Sequence, residues 1–292
     1  MRLRYRYTYT APVSAIRQQL VVVPADRHGD QRLLSYGLRV HGADSPASIS
    51  WEHDRFGNRV CCVLVDHVEH ALQFEVHYLV ARRSSSGPAA QSRSALHPPF
   101  WRDYLEPTAL TAPDDRLHAV AQEIAASTAD PRARAERAHD WAAGAIAYQF
   151  GVTGVQTPAA LALHLGRGVC QDYAHLMLCV LRQLGVPARY VSGHLLGEGA
   201  PHAWVEALLQ CPGDPSVVEV VAFDPTHHRR TRLDYLTVAV GRDFADVTPT
   251  SGYFTGSARG NLTYSKQAKV VDVSYFNHLV SRDDDRSSGA VA

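Results

Sequence analysis

Three residues in the second half of the chain have the types and the placement of a thiol-based catalytic site. Cys170 follows the segment GRGV, His202 opens the apolar run AWV, and Asp224 ends the run VVEVVAF just before a proline. Such a trio supplies a nucleophile, a general base and a carboxylate that orients the base. The chain order Cys-His-Asp therefore predicts acyl transfer by a cysteine.

Each of the three residues lies where a predicted element begins or ends, so its side chain can face a cleft. Cys170 begins a predicted helix, where unpaired backbone N–H groups and the helix dipole favour a thiolate. His202 begins a strand, and Asp224 ends one. Each residue also has an explanation without catalysis. Cys170 could be a core cysteine, His202 could be one of the loop residues among the sixteen histidines, and Asp224 could be a turn residue before a proline. Their combination favours a single site over these alternatives.

The three residues have distinct predicted roles in that site. His202 would take the proton of the Cys170 thiol, or hold it as an ion pair, and would later protonate the leaving amine. Asp224 would accept the other imidazole N–H and fix the tautomer of the ring. The Cys170 backbone N–H would be one oxyanion donor, and the side chains of Tyr148 and Gln171 are candidates for the second.

Residues beside the triad allow two interpretations each. Gln171 and Asp172 either line the cleft or are ordinary residues of the first helical turn, where the helix dipole favours an aspartate. Trp204 is either a cleft wall that shields the histidine–aspartate pair from water or a core residue. The run His227–Arg230 is interpreted as a solvated loop near the site.

Residues 1–82 are predicted to form an N-terminal antiparallel β-sandwich domain. The opening segment RLRYRYTY alternates polar and large apolar residues, which is the period of a half-buried strand. Turn-rich segments separate further β-rich runs, and no helical periodicity intervenes. These runs are Gln18–Val23, Leu33–Val40, Val60–Val65 and Leu72–Val80. A serine- and proline-rich linker is expected over residues 83–99.

Residues 100–280 are predicted to form a core of helices and strands. Helices are expected after the start signals PDD at 113–115 and DP at 130–131, and a third from Cys170 to Leu184, where a glycine and a proline end it. The strands predicted after this third helix are Ala188–Leu196, His202–Leu209, Val217–Phe223, Thr237–Val240 and Ala268–Val273. A disordered tail is expected over 281–292, because it is rich in aspartate and small residues.

Composition narrows the class of function. The chain carries 29 basic and 29 acidic residues, which gives no support for nucleic-acid binding or for a basic membrane-binding face. Five irregularly spaced cysteines without a CxxC pair argue against a disulfide framework and a structural zinc site. Because the sequence shows no signal-peptide core and no long apolar run, we expect a cytoplasmic protein. No cofactor and no metal are expected.

The motifs around the three residues resemble those of the transglutaminase-like superfamily. The resemblance rests on GRGVCQDYAHLMLCVLRQLGVPARYVSGHL, then HAWVEALL, then AFDPTH. It is strongest to the bacterial branch described as cysteine proteases, whose N-terminal β domain residues 1–82 resemble. The resemblance implies an α+β fold with a papain-like core, in which a nucleophile helix packs on an antiparallel sheet. It also implies that Cys170, His202 and Asp224 are the triad.

The predicted function is a cysteine-dependent acyl hydrolase or transferase that acts on amide or isopeptide bonds. A protease or amidase is favoured, because the sequence shows no feature dedicated to holding a lysine side chain. The alternatives are transglutaminase-type transfer to an amine, a noncatalytic binding module that keeps the fold, and a metal hydrolase. The expected partner is a peptide or protein amide, with neither a nucleic acid nor a membrane. The N-terminal domain could bind substrate, form a homo-oligomer or only buttress the core.

Overall fold

Three antiparallel sheets, a two-stranded parallel pair and a layer of helices make up the α+β fold of the described residues. The computed structural model describes residues 1–83, 92–95, 98–211 and 214–274. The tail predicted over 281–292 lies outside the described residues. Within the described ranges, no helix is both long enough and apolar enough to cross a membrane.

Seven strands precede the first helix-bearing region. They are β1 (Arg2–Tyr9), β2 (Val13–Val23), β3 (Arg27–His28), β4 (Gln31–His41), β5 (Ser48–His53), β6 (Arg59–Val68) and β7 (Ala71–Arg82).

The next part of the chain carries the helices and the central sheet. Its elements are β8 (Ser92–Ala95), α1 (Pro98–Asp103), α2 (Asp115–Ser127), α3 (Pro131–Ala145), β9 (Ala147–Tyr148), α4 (Ala159–Leu165), β10 (Arg167–Gly168), α5 (Cys170–Gln183), β11 (Ala188–Leu195), β12 (His202–Cys211), β13 (Asp214–Asp224), β14 (Arg229–Arg230) and β15 (Tyr235–Gly241). A short 3₁₀ helix (Phe244–Val247), β16 (Thr250–Thr255) and β17 (Gly260–Gln267) follow.

The predicted β-sandwich is confirmed. One sheet has the order β17-β1-β7-β4-β3 and the other the order β16-β2-β6-β5. The alternation in β1 buries Leu3 and Tyr5 while Arg2 and Arg4 face solvent. The buried side chains of β1 and β7 pack against those of β2 and β6, which forms an apolar core between the two sheets.

The last two strands return to the N-terminal sheets. β16 pairs with β2 and β17 pairs with β1, both antiparallel, so the predicted core range 100–280 contains two strands of the sandwich. The strand predicted over Ala268–Val273 is wrong, because residues 268–274 form no strand and β17 ends at Gln267. The apolar run at 270–273 has β propensity, but strand formation depends on a partner edge, and β1 is already paired on both sides.

The region predicted as a linker also contributes to the core. Within 83–99, β8 pairs antiparallel with β13 and so extends the central sheet. The central sheet has the order β14-β13-β12-β11-β15. It receives the strands predicted at 188–196, 202–209, 217–223 and 237–240, with ends that differ by a few residues.

Helix α5 is the centre of the core, as the apolar periodicity predicts. It packs on β11 and β12, and α2, α3 and α4 cover it, so almost all of its residues are buried. Helices α2 and α3 begin at caps that the sequence predicts: Asp114 and Asp130 accept backbone N–H groups of the first turns. Gly185 ends α5 with a positive φ of 71°, a conformation that glycine adopts without strain. Helix α5 is therefore held in place by packing on both sides.

Candidate active site

Cys170 is the first residue of α5, and its position is set by the side chain of Asp172. One carboxylate oxygen of Asp172, Oδ2, accepts the backbone N–H of Val169 at 2.7 Å and the hydroxyl of Thr153 at 2.6 Å. A Cβ atom at Gly168 would lie 2.5 Å from that oxygen, so only glycine fits there. Burial raises the pKa of Asp172, and these hydrogen bonds act against the rise. Of the two interpretations, the buried geometry supports Asp172 as a cap of the nucleophile helix rather than a cleft residue.

His202 is the first residue of β12 and is buried beside Cys170. Its Nε2 atom lies 2.8 Å from Oδ2 of Asp224, and the Cys170 side chain is within hydrogen-bonding reach of the same ring. Because Nε2 is bound to Asp224, Nδ1 is the ring nitrogen available to the thiol. Burial alone would lower the pKa of His202, but the hydrogen bonds and charges of Asp224 and Cys170 raise it well above its usual value.

Asp224 ends β13, and its carboxylate is saturated with hydrogen bonds. The residue has 0% of its surface exposed. Its Oδ1 accepts the backbone N–H groups of Thr226 at 3.0 Å and His227 at 3.2 Å. Its Oδ2 accepts the Tyr235 hydroxyl at 2.5 Å in addition to the imidazole of His202. Burial would raise the pKa of this carboxyl group, but its hydrogen bonds from His202, Tyr235 and His227 and the charge of His202 hold it well below the usual range.

Trp204 packs behind the histidine. Its ring is stacked on that of His202, with centroids 6.2 Å apart and planes 29° apart, and it contacts Tyr235 edge-on. A Cβ atom at Gly193 would lie 2.5 Å from the Trp204 ring, so this glycine makes room for it. Trp204 is fully buried and therefore fits both sequence interpretations: it is a core residue that also walls off the His202–Asp224 pair.

Tyr148 and Gln171, the two candidates for an oxyanion donor, differ in availability. Tyr148 lies on β9, which pairs with the β10 residues just before Cys170, and it is 58% exposed. Its pKa is raised by partial burial and then by the charges of Cys170 and Glu198. The side-chain amide of Gln171 instead donates to the Val155 carbonyl at 3.2 Å. Tyr148 is thus the free candidate.

Three residues that sequence reasoning did not place in the site surround the triad. His227 is an exposed turn residue near the site, as predicted, but its ring also donates from Nδ1 to Oδ2 of Asp224 at 2.7 Å. Glu198 lies 3.7 Å from Nδ1 of His202 and 3.2 Å from Nε2 of His227. The Tyr235 hydroxyl donates a hydrogen bond to Oδ2 of Asp224. The motif DPTHH offers a signal for His227, because a turn after Asp224 can return that ring to the carboxylate.

The loop that carries Glu198 is braced by the C-terminal strand. The Lys266 ammonium on β17 donates to the carbonyl oxygens of Leu195 at 3.3 Å and Ala200 at 2.9 Å. Burial lowers the pKa of Lys266, and the nearby charge of Glu198 acts in the opposite direction. The N-terminal sandwich therefore supports one rim of the site through a strand from the far end of the chain.

Side chains with metal-ligand chemistry also occur near the triad. Among the described residues, Glu198, His202 and His227 place ligand atoms within 4.8 Å of one another, as do His139, Asp140 and His228. A third and more exposed group is formed by Asp44, His67 and Glu69. The pair His175 and Cys179 on α5 is not such a group: His175 Nε2 accepts the Phe244 N–H in the core.

Two family models match separate regions of the chain. The transglutaminase-like superfamily model matches residues 118–216, and the bacterial transglutaminase-like N-terminal region matches residues 1–81. An uncharacterized Mycobacterium leprae protein is 39% identical over 170 residues, which cover 55% of this chain and only 58% of that protein. An uncharacterized Mycobacterium tuberculosis protein is 30% identical over 94% of this chain and 89% of its own length.

The fold also has a counterpart among solved structures. A Cytophaga hutchinsonii protein, provisionally named a cysteine protease, superimposes with a TM-score of 0.65 at 20% identity. The match covers 95% of each chain, so the sandwich and the core occur together in both proteins.

Proposed function

Since the chain belongs to the transglutaminase-like superfamily, we propose that it is an enzyme that cleaves amide or isopeptide bonds through a thioester on Cys170. The observation that carries this proposal is that Asp224 is hydrogen-bonded to His202, while Cys170, at the start of a buried helix, lies close enough to the same ring to raise the pKa of His202. A nucleophile, a base and an orienting carboxylate in this arrangement have the geometry of thiol acyl transfer. The favoured outcome is hydrolysis, as in a protease or amidase.

The proposed reaction uses only groups of the chain and water. The Cys170 sulfur attacks the amide carbon while Nδ1 of His202 holds the thiol proton. The resulting oxyanion is held by the backbone N–H of Cys170, which lies in the first turn where helical N–H groups are unpaired, and by the Tyr148 hydroxyl. His202 then gives its proton to the leaving amine, and a thioester remains. Water, deprotonated by His202, attacks the thioester, and the carboxylic acid and the thiol are released.

The acyl donor is proposed to carry an apolar side chain beside the reacting carbonyl. The exposed side chains of Phe150 and Val155 belong to a loop that is hydrogen-bonded to residues flanking Cys170. Thr153 donates to Asp172, Gln171 donates to the Val155 carbonyl, and the Gln149 N–H donates to the Gly168 carbonyl. Exposed apolar groups on such a loop favour a substrate that covers them, because covering removes apolar surface from water.

Transfer to an amine is the second candidate, and Glu198 is the observation that favours it. Its side chain is 35% exposed and lies 3.7 Å from Nδ1 of His202, where an incoming ammonium group would approach the base. The sequence alone offered no such group. A lysine side chain paired with Glu198 could therefore replace water as the acceptor.

One assay separates these outcomes. The protein is incubated with an apolar-flanked glutamine peptide, with and without a lysine peptide, and the products are read by mass spectrometry. Hydrolysis predicts deamidated or cleaved donor with either mixture, whereas amine transfer predicts a cross-link that depends on the lysine peptide. Cys170→Ser is the matched control and should give neither product. Cross-links as the main product would overturn hydrolysis as the favoured outcome, and turnover by Cys170→Ser would overturn the proposal itself.

A further inference from the structure

The arrangement of two histidines around one carboxylate oxygen suggests a second use of the site. Oδ2 of Asp224 binds Nε2 of His202 at 2.8 Å and Nδ1 of His227 at 2.7 Å. Each ring is thereby oriented through one nitrogen, and the other nitrogen does not bind Asp224. Both of these other nitrogens lie near Glu198: His227 Nε2 is 3.2 Å and His202 Nδ1 is 3.7 Å from its carboxylate oxygens.

We propose that Glu198, His202 and His227 bind a divalent transition-metal ion of the zinc class, and that the bound ion blocks thiol chemistry at Cys170. The three ligand atoms lie within 4.8 Å of one another, so small side-chain movements bring them to one ion. Two imidazoles and one carboxylate form a three-ligand set that zinc accepts, with a fourth position left for water.

Asp224 would serve this ion as well as the triad. A carboxylate that holds the far nitrogen of a ligating histidine fixes the ring and increases the electron density that it offers to a metal. Asp224 does this for both rings at once. The negative charges of Glu198 and Asp224 favour a cation here, because the nearby cationic groups are engaged elsewhere: Lys266 binds backbone carbonyls, and Arg229 binds the Tyr235 hydroxyl.

Metal binding and catalysis exclude one another in this geometry. Nδ1 of His202 is the nitrogen available to the Cys170 proton, and the same lone pair would be donated to the ion. A metal-loaded protein therefore lacks its base, and the inhibition is reversed when a chelator removes the ion.

The test measures zinc binding to the whole, chelator-treated protein by isothermal titration, together with metal analysis after dialysis. The expected result is one tightly bound Zn²⁺ per chain, weakened by about tenfold or more in Glu198→Gln and in His227→Ala. The matched controls are His67→Ala and His228→Asn, which remove one ligand from each of the other two clusters and should leave this binding unchanged. Thermal unfolding of each variant without metal shows whether it is folded.

A second readout reports the state of Cys170 directly. Zinc should slow the alkylation of Cys170 in the wild type and in the two controls, but much less in His227→Ala. Zinc binding that survives both Glu198→Gln and His227→Ala, or that is lost in a control variant, would overturn the proposed site. The absence of binding to the wild-type protein would do the same. Because binding is measured without turnover, these outcomes are separate from those of the peptide assay.

Discussion

Two buried carboxylates in the central sheet hold a histidine in the same way, yet only one has a nucleophile beside it. Asp224 binds His202 at 2.8 Å, and Glu206 on β12 binds His28 of the N-terminal domain at 2.8 Å. Oε2 of Glu206 also lies 2.6 Å from Nε and 2.6 Å from Nη2 of Arg189. Burial would raise the pKa of Glu206, but the charges and hydrogen bonds of Arg189 and His28 hold it well below its usual value.

The difference lies in the partners of each carboxylate. Glu206 is neutralised by an arginine and joins the sandwich to the core beside a cavity of about 790 Å³, so its ion pair is structural. Asp224 receives hydrogen bonds from imidazole, phenol and backbone groups, and its charge is balanced only when a histidine is protonated. A perturbed carboxyl pKa therefore does not identify a catalytic site without a proton carrier next to a nucleophile.

Asp224→Asn should have the largest effect on chemistry. The amide would favour the wrong tautomer of His202 and would not stabilise an imidazolium, so kcat should fall about 10⁴-fold. Turnover of the best glutamine peptide from the assay above measures it, and Glu206→Gln is the matched control. An Asp224→Asn enzyme with nearly full activity would remove Asp224 from the catalytic unit.

Glu206→Gln should have the largest effect on stability instead. It leaves the buried Arg189 without its carboxylate, which should lower the free energy of unfolding by about 3–5 kcal/mol. Urea unfolding measures the loss, and the alkylation rate of Cys170 in the folded variant should stay within about twofold of wild type. A large drop in that rate would show that the two carboxylates are not separate in function.

Tyr235→Phe should have a smaller effect, of about tenfold in kcat, because it removes one hydrogen bond to a charged carboxylate. The loss also removes a group that lowers the pKa of Asp224, so Asp224 would protonate at a higher pH than in the wild type. The acid limb of the pH–rate profile should therefore move to higher pH. An unchanged limb would mean that Asp224 does not set it.

The smallest predicted effect is the pH dependence of the stability that Glu206 contributes. Glu206 has a lowered folded-state pKa, so its contribution is complete above the unfolded value of about 4.3 and is lost as the pH falls toward the folded value. The difference in unfolding free energy between wild type and Glu206→Gln should be constant near neutral pH and should shrink below about pH 4. A difference that grew on acidification would contradict the lowered pKa.

The positions of Cys170, His202 and Asp224 at the ends of their elements were predictable because each residue has a local signal. Cys170 follows glycines at a helix start, and His202 and Asp224 lie at the ends of apolar runs. Helix α5 was predictable because its apolar periodicity and its terminal glycine agree. Such signals depend only on neighbours in the sequence.

The rest of the site depends on contacts between distant segments. Glu198 and Tyr235 enter the site only when β11, β12 and β15 assemble, and no local pattern marks them. The same holds for β16 and β17, which are polar and mostly exposed and are strands because β2 and β1 offer them free edges. The exposed run at 268–273 shows the converse case. Its apolar sequence predicts a strand, but without a partner edge it forms none.

The central claim is that His202 activates Cys170 as one catalytic unit. The direct measurement is the rate of Cys170 alkylation by iodoacetamide as a function of pH, in the wild type, in His202→Ala and in the matched variant His28→Ala. The wild type and His28→Ala should react faster than a free thiol, because His202 takes up the thiol proton. His202→Ala should react no faster than a free thiol, and its pH profile should differ from that of the other two proteins. Identical rates and pH profiles in all three proteins would contradict the claim and favour a noncatalytic module that keeps the fold.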